Sequence, residues 1–466
     1  MYPLELSGSG RTLALAVIFL GISSTLGCLQ TSYRDSRNTQ SIAAQLDAYL
    51  KPYVDVQDFS GAVLIARGDR VLADKAYGMA NFELAVANTP KTRFRIASVS
   101  KQFTAAAVLL LEQRRLLSTS DPLSKFISDF PHGDEITIHH LLTHTSGITG
   151  NMETLPEIQQ DMQAFHSLGE LAQMLKKSAP ESSAGSTTAY SNKNYVLLAY
   201  IVEHLSGVRF DQFLRKNVFE PLGMKDSGSA KYMEVFPNMA TGYEPGFFGL
   251  DAAPLDDWWN NVGASTIYST TEDLYKWHRA LGSDKLLTAS SRKKMFTQFL
   301  QQRYGYGWAI GERFGRKVIA HNGREPGFVA DISKYVDDDA VTILVGNIGS
   351  GAADKIRTDL GAILFEQKYT LPESRAYVSL EEADLEQFVG QYETSPGNFL
   401  TVRKVGDHLV LKGEGTPYSV LTPESETTFF VRALYATVTF KKDATGRITD
   451  LIWRLNGEHP AKKEAL

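Results

Sequence analysis

A single cysteine, Cys28, occurs in 466 residues, so no intrachain disulfide is available and the core must hold itself together. Positive charge is not in excess either: 48 Lys and Arg stand against 53 Asp and Glu, a net charge of −5. That balance argues against a nucleic-acid partner, because phosphate binding needs a basic surface. Long apolar runs are missing as well, and the one at the front, Thr12 to Gly21, is short for a membrane span. Neither H-E-x-x-H nor G-x-S-x-G occurs, which removes the usual zinc-hydrolase and α/β-hydrolase signatures. What remains is an ordered globular chain, 43% hydrophobic and 22% charged with 37 Gly and 17 Pro, long enough for two domains and a processed segment.

The front reads as an export signal, with Arg11 before the apolar stretch and small residues after it. Cys28 follows directly in Ser24-Thr25-Leu26-Gly27-Cys28, which resembles the bacterial lipoprotein signal and implies lipidation at Cys28. Thr25 stands where that pattern prefers an aliphatic residue, and a single Arg is opposed by Glu5. A plain signal peptide or an uncleaved anchor is the alternative. The expectation is a signal over residues 1–28, a polar tether over 29–40, and an exported envelope or periplasmic protein held to the membrane by a lipid.

The chemistry centres on Phe94 to Thr104. An apolar Ala- and Leu-rich run from Thr104 to Leu111 predicts a buried helix starting near Ser98. Ser98 and Lys101 then share one face of its first turn, beside unpaired N–H groups that favour developing negative charge. A buried amine loses proton affinity, and its neutral form could activate the serine. The plainer reading makes Ser98 a cap and Lys101 a snorkelling side chain. The same spacing recurs at Ser290 with Lys293 and Ser291 with Lys294, in surroundings too polar for a dry pocket.

In chain order, Ile42, Leu46 and Leu50 predict a short helix, and the apolar runs around Gly68-Asp69-Arg70 predict a β-hairpin. His139, His140 and His144 lie close together, yet no third ligand pattern or glutamate base accompanies them, so they read as helix-packing and loop-anchoring groups. Tyr190 and Asn192 stand two apart on a loop. The tyrosine could carry a proton to a leaving group if cations lower its pKa, and the asparagine could bind a substrate carbonyl. Alternatively, Asn192 caps the following helix. Runs at Tyr304 to Ile310, Lys317 to Gly323, Gly327 to Val336 and Ala340 to Val345 predict an antiparallel meander, closed by an amphipathic helix over Ala352 to Gln367. Beyond a linker over 369–379, alternating strands predict a β-domain over 380–466.

Three motifs now stand in order: Ser98-x-x-Lys101, Tyr190-x-Asn192 and His321-x-Gly323. Together with Ile136 to Gly147, Pro221-Leu222-Gly223-Met224 and Ser269 to Leu274, they make residues 41–368 resemble the serine β-lactamase and penicillin-binding-protein superfamily. The branch is that of class C β-lactamase-like hydrolases, D-aminopeptidases and family VIII esterases. The resemblance implies an α/β (α+β) fold, an antiparallel sheet flanked by helices with an all-α subdomain, and a C-terminal lipocalin-like barrel. It implies Ser98 as acylating nucleophile, Lys101 as its proton partner and Tyr190 as relay. Asn192, His321 and Gly323 would bind substrate, and the N–H groups of Ser98 and Arg324 would form an oxyanion hole. No cofactor or metal is expected. The expected partner is a small-molecule or peptidoglycan-derived amide or ester. His321 stands where the family usually has lysine, and the Arg324 guanidinium is expected to replace that charge and select carboxylate-bearing substrates. A non-catalytic envelope protein that keeps the fold is the other class of reading.

Overall fold

A computed structural model describes residues 42–464 apart from 162–163, 231–234, 247–248, 255–257, 300–302, 372–374, 414–417 and 456. The expected signal, Cys28, the tether and Pro372 of the linker lie outside the described residues. Among the described residues no helix is long and apolar enough to cross a membrane.

Six strands form one antiparallel sheet: β1 (Gly61–Arg67), β2 (Arg70–Tyr77), β3 (Ala309–Arg313), β4 (Arg316–Glu325), β5 (Phe328–Tyr335) and β6 (Ala340–Gly346). Their order is β3-β4-β5-β6-β1-β2. The N-terminal hairpin joins the late meander where β1 pairs with β6, from Gly61 opposite Gly346 to Arg67 opposite Ala340. Both strands are apolar on both faces and buried almost throughout, which suits the middle of a sheet covered on each side. One face carries α1 (residues 42–55) and α4 (Ala352–Leu364), joined where the Tyr49 hydroxyl donates to Asp359 at 2.7 Å. The other face carries the helical region, built around α2 (Lys101–Gln113) and α3 (Asn192–Ser206). Every residue of α2 from Lys101 to Leu111 is buried, so its chemistry is shielded from water by its own fold.

Two local expectations need correction. The helix begins at Lys101, and Ala97–Ser100 form a 3-10 turn before it. Strand β3 begins only at Ala309, so Tyr304 to Trp308 is a loop. Glycine explains the loop: Gly307 has φ +74°, and a Cβ there would lie 2.8 Å from the Lys101 carbonyl oxygen. The segment therefore lies flat on the start of α2 instead of extending the sheet.

The C-terminal portion is a closed eight-stranded antiparallel barrel, shut by Tyr392 pairing with Lys463. Phe388, Tyr392, Phe429 and Phe440 fill it, with Phe388 and Phe440 ring centroids 4.7 Å apart. This core is separate from the two that sandwich the sheet.

Asp331 of β5 gives the fold a pH signature. It is 1% exposed beneath α4, accepts the Ser333 hydroxyl at 2.7 Å, and keeps the Arg357 guanidinium 3.9 Å away. Burial outweighs the arginines and pushes its carboxyl up to about 6. The folded state thus holds a proton that the unfolded chain has released, and stability falls as pH rises from about 4 to 6. Asp331→Asn should remove that slope, so its stability relative to wild type should climb by about 3 kcal/mol between pH 4 and pH 7. Urea unfolding at both pH values reads the difference.

Candidate active site

The turn that presents Ser98 is closed by one hydrogen bond of its own and tied to Ile267 by two more. Ile96 N–H donates to Ile267 O at 3.0 Å, Val99 N–H to Ile96 O at 3.1 Å, and Ile267 N–H to the Ser100 hydroxyl at 3.1 Å. Ala97 is forced to φ +45°, a left-handed conformation that a non-glycine residue adopts at a cost and that clusters at functional sites. In a 3-10 turn residues three apart eclipse, which puts the Lys101 amine 3.0 Å from the Ser98 hydroxyl.

Lys101 is 0% exposed and has three polar neighbours: Ser98 Oγ, Asn192 Oδ1 at 2.8 Å and Ala264 O at 3.2 Å. Burial pulls its amine well below the ordinary lysine value, and the Glu325 carboxylate opposes this only in part. A neutral amine has two N–H groups and one lone pair. The two carbonyl oxygens can only accept and take the N–H groups, which leaves the lone pair for the Ser98 O–H.

Tyr190 donates to Ser98 Oγ at 2.8 Å. The condition of a pKa lowered by cations is not met: crowding around the phenol raises it although 46% of the residue is exposed. The Lys101 amine lies 4.7 Å from its ring centre and is itself driven toward neutrality. Asn192 does not cap α3. Ser191 occupies the capping position with its hydroxyl on Gly150 O, and the Asn192 carbonyl faces Lys101. His144 straps this segment. Its Nδ1 accepts Ser191 N–H at 3.1 Å, its carbonyl accepts Ala189 N–H at 2.9 Å, and its ring lies 4.4 Å from that of Tyr190.

The opposite wall is the end of β4. Strand β3 pairs with β4 only as far as Ala320, so His321 to Glu325 extend past it toward the nucleophile turn. Gly323 is where the two backbones approach: a Cβ there would lie 2.4 Å from Ile96 O and 3.0 Å from Ser98 N. Glu325 is paired with Arg95 at 2.5 Å, tying the strand's end to the residues before the turn.

His321 is 6% exposed and its Nδ1–H donates to Asn322 O at 2.6 Å. Its Nε2 therefore accepts from the Tyr304 hydroxyl, 2.8 Å away. Burial pushes the imidazole down to about 3, so it is neutral. The sequence places Tyr304 in a strand and not at the site, although Gly305 and Gly307 signal a loop there.

Arg324 is placed differently from the expectation. Side chains alternate along a strand, so with His321 and Gly323 toward the site, Arg324 turns the other way. Its guanidinium donates to Gly349 O at 2.9 Å and Ser350 O at 3.1 Å and lies 3.5 Å from Asp354. It cannot serve as a substrate-facing cation in this arrangement.

A serine with a buried amine on one side and a phenol on the other, facing a backbone wall, is an arrangement suited to a serine hydrolase of amide or ester bonds. The chain belongs to the beta-lactamase family, whose model matches residues 46–364; a domain of unknown function, DUF3471, matches residues 374–464. A penicillin-binding protein of Bacillus subtilis (strain 168) is 27% identical over 408 residues, 82% of this chain and 90% of that one. A teichoic acid D-alanine hydrolase of Staphylococcus aureus (strain MRSA252) is 24% identical over 324 residues, 70% of this chain and 78% of that one. The crystal structure of a penicillin binding protein from Bacillus halodurans superposes with TM-score 0.59 at 28% identity, covering 68% of this chain and 99% of that one.

Proposed function

We propose that Ser98 is the nucleophile of a two-step hydrolysis through an acyl-enzyme. Lys101 takes the Ser98 proton as Oγ attacks the acyl carbon, and the oxyanion lodges between the N–H groups of Ser98 and Arg324. Tyr190 delivers its proton to the leaving amine or alcohol, and the Lys101 ammonium restores it. Water then attacks the ester, Lys101 again takes a proton, and Ser98 leaves with one. Asn192, with its oxygen on Lys101, would offer its Nδ2 to a substrate carbonyl. The observation that carries this reading is the 3.0 Å contact between Ser98 and an amine whose other hydrogen-bond partners, among the described residues, are the carbonyl oxygens of Asn192 and Ala264.

The substrate we infer is an ester or amide without a carboxylate beside the scissile bond, such as a simple ester or a D-amino-acid derivative. His321 is neutral and the Arg324 side chain points away, so neither offers a cation there. The kinship to a teichoic acid D-alanine hydrolase favours the same class. Four donors assayed side by side, namely a β-lactam, a simple ester, a D-amino-acid amide and a muropeptide, should show turnover of the second and third. Ser98→Ala should abolish it, together with the mass adduct of a fluorophosphonate. Activity persisting in Ser98→Ala would end the proposal. We also propose that the chain is exported and anchored by a lipid on Cys28, which metabolic labelling with palmitate in wild type and Cys28→Ala would test.

A consequence concerns charge selection. Arg324→Ala should change kcat/KM for an anionic and a neutral ester by the same factor, within about twofold, because the side chain does not meet either. A selective loss of the anionic ester would restore a substrate-facing arginine.

A further inference from the structure

The barrel touches the hydrolase region at the turn between its strands Thr428–Val431 and Ala436–Lys442. Arg432 of that turn is nearly buried. Its Nε pairs with Asp58 at 2.9 Å, its Nη2 donates to the carbonyls of Val56 and Gln57 at 3.0 Å each, and its Nη1 donates to Gly249 O at 3.3 Å. A guanidinium with four acceptors from two separate segments is a clamp, and a fork of fixed geometry holds them in register.

The backbone of the same residue does something else. Arg432 O accepts Gly351 N–H at 3.1 Å and the Ser350 hydroxyl at 3.3 Å. Residues 349–351 are the loop whose carbonyls receive the Arg324 guanidinium. Two arginines from opposite sides therefore share one short loop: Arg432 from the barrel, and Arg324 from the strand that walls the nucleophile. Gly351 lets the barrel come that close, since a Cβ there would lie 2.4 Å from the Leu434 carbonyl carbon and 2.6 Å from Tyr435 N.

We propose that the C-terminal barrel is part of the site's positioning machinery, with Arg432 acting through the 349–351 loop and Arg324 to hold the Gly323 wall against Ser98. This rests on the reading of Ser98 as nucleophile. Arg432 touches no substrate; it is a positioning residue. The gap it controls is the one between Ser98 N–H and Arg324 N–H, and errors of an ångström there are felt in the rate. An arginine needed only for stability would not shift the kinetics of the folded enzyme.

The test uses the full chain with Arg432→Ala, Gly351→Ala, Arg324→Ala, the Arg324→Ala/Arg432→Ala double variant, Ser98→Ala, and Arg447→Ala on an exposed barrel turn as control. Fluorophosphonate titration counts intact sites, and assays run well below each unfolding temperature. Arg432→Ala and Gly351→Ala should each lower kcat per titrated site by about tenfold with KM within about twofold, and weaken a boronic-acid transition-state analogue in parallel. The double variant should be no slower than the slower single variant, because both arginines act through one loop. Arg447→Ala should match wild type. Unchanged kcat in both Arg432→Ala and Gly351→Ala, or effects that multiply in the double variant, would overturn the proposal. Ser98→Ala separates the two ideas: if it keeps activity, the site reading fails, and if it is dead while the barrel variants run normally, only the positioning role fails.

Discussion

Lys101→Met should slow acylation of Ser98 by about 10³- to 10⁴-fold while leaving a folded protein. Methionine fills the same apolar channel but has no lone pair for the Ser98 proton. Lys101→Arg should be as slow, since a guanidinium stays protonated and cannot accept one. Agreement between the two variants would show that the lost function is basicity and not charge. Stability carries an independent signature. The unfolded chain protonates Lys101 up to its ordinary value near 10.5, whereas burial lowers the proton affinity of the folded amine well below that. Between the folded and unfolded values the unfolded state holds the extra proton, so the wild type gains stability as pH rises through that window. The methionine variant lacks the term, and its stability relative to wild type should decline steadily from pH 7 toward pH 10. Stopped-flow acylation with a chromogenic ester and urea unfolding at three pH values measure both effects. A rate within tenfold of wild type would remove Lys101 from the mechanism.

Much of this site could be read from local pattern. The spacing of Ser98 and Lys101 on an apolar helix sufficed to pair them, because three-residue spacing means one face in either helix type. The central strands were legible as apolar runs bounded by turns, and the N-terminal hairpin by its Gly68-Asp69 turn. What no window could show is that β1 pairs with β6, some 280 residues later, or that Tyr304 reaches His321. Both depend on tertiary packing. The Arg324 error is of another kind. Alternation along β4 already sends residue 324 away from the face of residues 321 and 323, and the appeal of a replacement cation overrode it. The direction of the Tyr190 shift lies outside sequence reach as well, because it is set by how closely the folded chain packs around the phenol. The role inferred for Arg432 lay wholly outside sequence reach, since its partners at 56, 58, 249 and 351 are brought together only by the docking of the barrel.

Gly323→Ala is expected to be the second most damaging single change, lowering kcat by about 10²- to 10³-fold, the usual cost of losing one oxyanion donor. The substitution adds one methyl group and asks nothing unusual of the backbone, because Gly323 lies in regular strand pairing opposite Ala330. Its effect is therefore steric and local. The new Cβ would stand 2.4 Å from Ile96 O and 3.0 Å from Ser98 N, both backbone atoms of the nucleophile turn. Neither can yield by rotating a side chain. The turn is tied to Ile267, and β4 is tied on its far side through Arg324 to the 349–351 loop. Relief must come from separating strand and turn, which widens the gap between the Ser98 and Arg324 N–H groups. Lys101 is not disturbed directly, so the pH dependence of the residual rate should match wild type, and KM for a small ester should change little. Affinity for a boronic acid, whose tetrahedral adduct places an oxygen in that gap, should fall with kcat. A variant that folds, keeps kcat within about twofold and binds the boronate normally would show that the wall of β4 supplies no oxyanion donor, and the stabilising N–H would have to be sought elsewhere around Ser98.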